Sequence, residues 1–469
     1  MKKDDSRGTG LDRRSFLRTG GAALAASVAA GCATATSTKS GAERAPAPAA
    51  GAADRAAEAT GPRVRAQRRL GRTGFEVSDV VMGCGSIAEP NVVRYACDRG
   101  VNLLDTAEGY ENGRSEEKIG QAMPHLERKN IFLVTKLKRR QEDTEQSLLQ
   151  RFARCLERLR TDYVDALYMH AVSDVASVSD ATFHRVAARL KADGKIKHLG
   201  ISSHGPRGDA GDSLEDVLLA AVEDGRFDVM MLVYSFLKPE AGARVLRACR
   251  ERDVGGIAMK VTAGVMQVEP FDPEAPAGEY AQVLEKLLKR GKTRAEAIDR
   301  IQRWVTEMRA AVEPTRPFIE KHGISSEQEL HRSSIRWVLA NPDAAAACVS
   351  MRDFDAVNAA LAASGDPLSA RSRRILDAWA RASRTSACPP GCTECVAACP
   401  HGIPINTIHR YTYYFQQRRQ QKLAMHKYAS LGHGAEACFD CSAPCRGACP
   451  GGLPIQASLV HAHQLLTLA

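Results

Sequence analysis

At 469 residues the chain has room for one large domain and a smaller one, and its 44% hydrophobic and 26% charged content are ordinary globular values. The formal net charge of +10 is unevenly placed: residues 1–72 carry fourteen Lys and Arg against six Asp and Glu, leaving +2 for the remainder. A basic leader on a near-neutral body removes the case for a nucleic-acid binder.

In chain order, the leader comes first. "DRRSFLRTGGAALAASVAAGC" sets Arg13 and Arg14 ahead of Phe16 and Leu17 and a weakly apolar run from Gly20 to Ala30. The run is too short for a permanent membrane span and has the layout of a cleavable signal. The paired arginines resemble the signal of the twin-arginine export route, which carries proteins folded around a cofactor. "AAGC", ending at Cys32, resembles a lipoprotein processing site that would leave a lipid anchor on that cysteine, with Ala29 where Leu is usual. "ATA" at Ala33–Ala35 offers ordinary cleavage instead. The expected location is periplasmic, free or membrane-anchored. Residues 33–62, rich in Ala, Pro and Gly, read as a linker.

From there to residue 370 short apolar runs alternate with helical patterns. The strands are expected at "DVVMG" (Asp79), "VNLLDTA" (Val101), "IFLVTK" (Ile131), "YVDALYMH" (Tyr163), "IKHLGIS" (Ile196), "FDVMMLVYS" (Phe227), "GGIAMK" (Gly255) and "AAACVSM" (Ala345). Eight βα units predict an α/β fold, a (β/α)8 TIM barrel. A doubly wound sheet would want a G-x-G-x-x-G after its first strand, and "MGCGSIAEP" is not one. The segment between the last two strands is long and holds two helical patterns, "YAQVLEKLLKRG" and "AIDRIQRWVTEMRAAV". They either cap the barrel mouth or pack on its outside.

Barrel chemistry sits at the C-terminal strand ends. There the chain has Asp105 after strand 2, Tyr110 in the loop beyond, Lys136 closing strand 3 and His170 closing strand 4. Tyrosine is a poor acid near its ordinary pKa of about 10; a lysine held by an aspartate is expected to lower it, and a histidine to orient a carbonyl.

"RRLGRTGFEVSDVVMGCG", "LLDTAEGYENGRSEEKIGQAM", "VTK", "LYMH" and "GKIKHLGISSH" resemble the aldo/keto reductase superfamily over Arg68 to Leu361. The resemblance implies Tyr110 as general acid, Lys136 and Asp105 tuning it, His170 positioning a small carbonyl or alcohol substrate, and NADP or NAD as hydride carrier. It also implies that Ser202 and Ser203 hold the carboxamide and that the loop from Ser350 grips the adenosine end. Met231 stands where that pattern has glutamine, and Ala356 where it has a basic residue, with Arg352 as substitute.

Residues 371–387 read as a connecting helix before two cysteine groups. They are Cys388-x3-Cys392-x2-Cys395-x3-Cys399-Pro400 and Cys438-x2-Cys441-x3-Cys445-x3-Cys449-Pro450. Three close cysteines plus a Cys-Pro suit a four-iron cube; zinc and disulfides stay open as alternatives. With the helical stretch between the groups, the region 388–469 resembles the small two-cluster ferredoxin domain appended to some aldo/keto reductases. That implies two [4Fe-4S] clusters, with Cys399 and Cys449 each serving the cluster of the other group, and a redox partner protein. Each group has one residue more than the usual spacing, in "CPPGC" and "CSAPC". Cys84, Cys97, Cys155, Cys249 and Cys348 read as buried thiols. The rival reading is an electron-transfer subunit whose barrel is a docking scaffold.

Overall fold

A computed structural model describes residues 61–206, 211–262, 264–315, 318 and 327–467. The leader with Arg13, Arg14 and Cys32, and nearly all of the linker, lie outside the described residues.

A short antiparallel hairpin, β1 (Gln67–Arg69) and β2 (Glu76–Ser78), precedes the barrel. The eight barrel strands are β3 (Val80–Gly83), β4 (Leu103–Asp105), β5 (Phe132–Leu137), β6 (Val164–Met169), β7 (Ile196–Ser203), β8 (Val229–Val233), β9 (Gly255–Met259) and β10 (Ala346–Ser350). They close in the order β10-β3-β4-β5-β6-β7-β8-β9, every pairing parallel. Each expected apolar run supplied one strand, because strands covered on both faces need continuous hydrophobic sequence. At Gly200 in β7 the backbone lies so close to the Tyr168 ring that a Cβ would sit 2.3 Å from it.

The barrel's helices include α1 (Pro90–Asp98), α2 (Arg114–Ala122), α3 (Glu145–Leu159), α4 (Ala181–Ala192), α5 (Leu214–Asp224) and α6 (Glu240–Glu251). Thr144 and Ser147 form a reciprocal capping box that starts α3, satisfying two otherwise orphaned N–H groups. Between β9 and β10 come α7 (Gly278–Lys289), α8 (Arg294–Val312) and α9 (Glu327–Leu339); α10 (Phe354–Leu361) and α11 (Ala370–Ala382) follow β10. The cysteine-rich region adds α12 (Ile405–Gln416), α13 (Gln421–Ala429) and α14 (Ile455–Leu466).

There are two principal cores. One fills and jackets the barrel, with Leu104, Leu133, Leu167 and Ile257 at its centre. The other joins α7 and α8 to the cysteine-rich region: Leu287, Ile301, Trp304 and Met308 pack with Val396, Ile408, Phe439 and Leu459. The long β9–β10 connection is thus the scaffold on which the tail folds. Arg290 reaches Glu436 and Asp440, Arg446 reaches Glu307, and His461 sits 3.0 Å from Glu279. Eighty-odd residues with two loop-forming cysteine groups have little apolar surface of their own, so a borrowed helix pair is the simplest way to close their core. No helix among the described residues is long and apolar enough to cross a membrane.

Candidate active site

Lys136 in β5 and Asp105 at the end of β4 are neighbours across the barrel wall, 1% and 3% exposed. The ammonium contacts the Asp105 carboxylate and donates to the Thr106 carbonyl at 2.7 Å. Burial pushes the Asp105 carboxyl above its ordinary range, and Lys136 pulls against that.

Tyr110 follows in a tight turn in which Glu111 and Asn112 take left-handed φ values of 52° and 58°. Lys118 holds that turn, bonding Glu111 at 2.7 Å and the Ile87 carbonyl. Arg151 holds the residues before it through Glu108 (2.9 Å) and is itself fixed by Asp143. The Tyr110 ring centroid lies 5.0 Å from Lys136 Nζ and 5.7 Å from the His170 ring, edge to face. The four residues expected at the strand ends therefore come together. The expected direction of the tyrosine's shift is reversed, however. Burial first, and then the Asp105 charge, push the Tyr110 phenol well above its usual value, so it stays protonated.

His170 is followed by Ala171 at φ 58°, whose N–H donates to Ser202 Oγ at 3.0 Å; Val172 N–H donates to the Ser202 carbonyl. Ser202 thus positions the histidine's loop. Ser203 accepts from Gly205 N–H at 3.1 Å, and both serines are buried. Met231 pairs with Ser202 across the β7–β8 ladder and is buried. Ser350 is exposed, and Arg352 donates to the Arg419 carbonyl at 3.1 Å. Gln420 donates to Ser86 Oγ at 2.9 Å. The segment after α12 therefore lies on the loops that follow β3 and β10. Ser202 and Ser203 each accept a backbone N–H, and Arg352 is engaged by the tail.

Sequence reasoning missed a second group at the mouth. Lys260, one residue past β9, has φ 57° and donates to Tyr414 Oη at 2.8 Å; Arg410 Nε donates to the same oxygen at 3.3 Å. Arg410 also donates to the Thr262 carbonyl at 2.6 Å. The charge of Lys260 acts on Asp105, and that of Tyr414 acts on Tyr110, so both groups share the mouth. Lys260 ends "GGIAMK" as Lys136 ends the run "IFLVTK", a legible signal. Tyr414, far off in sequence, left none. A cavity of about 490 Å³ lined by Arg68, Gly255 and Asp343 lies at the opposite, N-terminal end of the barrel, away from this chemistry.

The eight tail cysteines interact across the two groups, with Cys445 also acting on Cys395 and Cys449 on Cys445. Cys388 feels Cys392, Cys395 and Cys449, whereas Cys438 feels Cys399, Cys441 and Cys445. Burial and then neighbouring thiols push Cys395 and Cys438 up to about 12 and Cys445 to about 11. The additional residue in each group is absorbed by a left-handed turn, at Gly391 (φ 76°) and Ala443 (φ 57°). Lys238, beyond β8, comes within 3.7 Å of Cys392 Sγ, and Met266 N–H donates to the Ser386 carbonyl. The first group is thereby docked on the loops that follow β8 and β9. Among the described residues no set of three or more His, Cys, Asp or Glu side chains gathers as a single bound ion requires. All thirteen described cysteines are free thiols, with Cys84, Cys155 and Cys249 buried and Cys97 and Cys348 partly so.

The pattern of the "Aldo/keto reductase family" matches residues 89–381. An uncharacterized oxidoreductase of Bacillus subtilis, YqkF, is 28% identical over 225 residues, 44% of this chain and 68% of that protein. The NADH-specific methylglyoxal reductase of Escherichia coli is 28% identical over 187 residues, 36% of this chain and 53% of its own. An aldo-keto reductase from Klebsiella pneumoniae, solved in complex with NADPH, superposes with a TM-score of 0.43 at 21% identity, covering 67% of this chain and 94% of that one. The family match spans well over half the chain, across the barrel that carries the buried Lys136–Asp105 pair: the chain belongs to the aldo/keto reductase family and is an oxidoreductase of that type.

Proposed function

We propose that the protein reduces a small carbonyl compound, or oxidises the corresponding alcohol, at the C-terminal mouth of the barrel, and that its tail carries two [4Fe-4S] clusters. The observation that carries the first half is the Tyr110 ring set between His170 and the buried Lys136–Asp105 pair. A carbonyl oxygen bound there accepts a hydrogen bond from the Tyr110 hydroxyl and is oriented by His170. Because the phenol holds its proton tightly, Tyr110 gives it up as negative charge develops on that oxygen and makes it a strong base. Lys136 keeps Asp105 neutralised beneath the ring. The hydride donor is NADP or NAD in this reading, in line with the name of the NADH-specific Escherichia coli relative.

For the tail, the support is the clustering of its cysteines, in which Cys449 acts on Cys388 and Cys395, and Cys399 on Cys438 and Cys445. Close thiols that raise one another's pKa call for positive charge among them. A four-iron cube would supply it, and the body of a cube holds its thiolates further apart than a lone ion does. Such clusters would pass single electrons to or from a partner protein. The leader supports assembly in the cytoplasm and export by the twin-arginine route, to the periplasm or to a lipid anchor at Cys32.

Met231, Ala356 and the tail's contacts at Ser86 and Arg352 favour a second reading, an electron-transfer subunit whose nicotinamide site is degenerate. Tyr110→Phe separates the two. Carbonyl turnover falls by roughly 10²–10⁴ if Tyr110 is the acid, with iron unchanged at about eight per chain. Turnover kept within about threefold, against that expected loss, refutes the catalytic reading.

A further inference from the structure

We propose that Tyr414, brought to the barrel mouth by α12, is a general base that removes a proton from the carbon beside the substrate carbonyl, so that the site converts α-hydroxycarbonyl compounds through an enediol without a nucleotide. The inference rests on the reading of Tyr110 as the acid at the carbonyl oxygen.

Two cations converge on one phenol oxygen: Lys260 at 2.8 Å from the barrel and Arg410 at 3.3 Å from the same helix. Lys260 holds a left-handed backbone conformation that non-glycine residues avoid, and its ammonium is aimed at that oxygen. The docking is close: a Cβ on Gly264 would meet the Tyr413 ring at 2.0 Å. Tyr413 and Thr262 hydroxyls lie 3.3 Å apart, and Gln417 donates to the Val265 carbonyl. The groups facing Tyr414 are Lys260, Arg410 and Tyr110, with the rings of Tyr411 and Tyr413 beside it; Lys260 also acts on Asp105 and Cys348.

Burial opposes ionisation of this phenol, but the charges and hydrogen bonds of Lys260 and Arg410 outweigh it and bring Tyr414 down to about 6. Tyr110, in the same mouth, is pushed the other way. Two like groups driven apart by their surroundings mark an acid and a base.

In the step, the C–H bond next to the carbonyl breaks and its proton passes to the Tyr414 oxygen. The C–H electron pair becomes the C=C bond, and the π pair of the carbonyl moves to oxygen, which takes the Tyr110 proton. Tyr414 returns its proton to either carbon while a hydroxyl of the enediol gives its proton back to Tyr110, so the carbonyl re-forms and both residues recover their starting state. Electrons stay within the substrate, so neither oxidant nor reductant enters.

The test incubates the purified full chain with dihydroxyacetone in D2O, without nucleotide, and follows loss of the CH2 proton signal by NMR. Exchange is expected, and Tyr414→Phe, which keeps the ring, lowers it by about 10²-fold or more at unchanged iron content. Lys260→Met moves the rise of rate with pH from about 6 towards the ordinary phenol value near 10. No exchange above that of heat-denatured protein overturns the proposal, as does Tyr414→Phe within about threefold of the parent. Carbonyl turnover with nucleotide, measured in parallel, separates the two readings. Turnover without exchange overturns this inference alone; exchange without turnover supports it and overturns only the reductase reading.

Discussion

Replacing Lys136 by Met tests whether the pair beneath Tyr110 is held as tightly as its burial implies. The ammonium is 1% exposed and is the partner of a carboxylate that is itself 3% exposed. Removing one member of a buried pair leaves an uncompensated charge and costs about 3–5 kcal/mol, a large share of the roughly 5–15 kcal/mol that holds a domain together. The loss has a pH signature. Burial already pushes Asp105 above the ordinary carboxyl range, and without Lys136 it rises further. The folded state then binds more protons than the unfolded one. Stability of the variant is therefore greatest at low pH and falls as pH climbs from about 3.9, the unfolded value, through the raised folded one. Adding Asp105→Asn removes the stranded charge at nearly constant shape, so the double variant should regain most of the stability and none of the turnover. Urea midpoints at pH 5 and pH 8, with carbonyl turnover alongside, read both effects. A single variant destabilised by less than about 1 kcal/mol, or a double variant no more stable than the single one, refutes the argument.

Arg151→Met frees Glu108 and Asp143 together, so the turn carrying Tyr110 should loosen; about a tenfold fall in turnover is expected from misplaced chemistry, with KM rising. Ser202→Ala takes the acceptor from Ala171 N–H and should cost about 1–2 kcal/mol, read as a lower thermal midpoint, while raising KM through His170. Gly264→Val would drive a side chain into Tyr413, so α12 should undock, and limited proteolysis between α11 and α12 should speed up while the barrel stays folded. Cys399→Ser should deplete the cluster of Cys438, Cys441 and Cys445, leaving about four irons per chain; loss from the first group instead would refute the exchanged ligation.

What the sequence determined by itself was whatever depends on neighbours along the chain. Eight continuous apolar runs became eight strands because doubly covered strands must be apolar throughout. Strand-end positions put Asp105, Lys136 and His170 at one mouth, since a closed parallel barrel sends all its C-terminal ends one way. Tertiary structure decided the rest. The presence of Lys136 pointed to a lowered Tyr110 phenol, yet the shift is upward, because burial is a property of everything packed around the ring and not of one neighbour. Helices α7 and α8 looked like a cap or an outer layer and proved to be a third of the core they share with the tail. Ser202 supports the His170 loop, accepting from Ala171 N–H, a contact made only when β7 lies beside the end of β6. Tyr414 meets Lys260 across 154 positions of sequence, a contact set only by how the cysteine-rich region docks on the barrel.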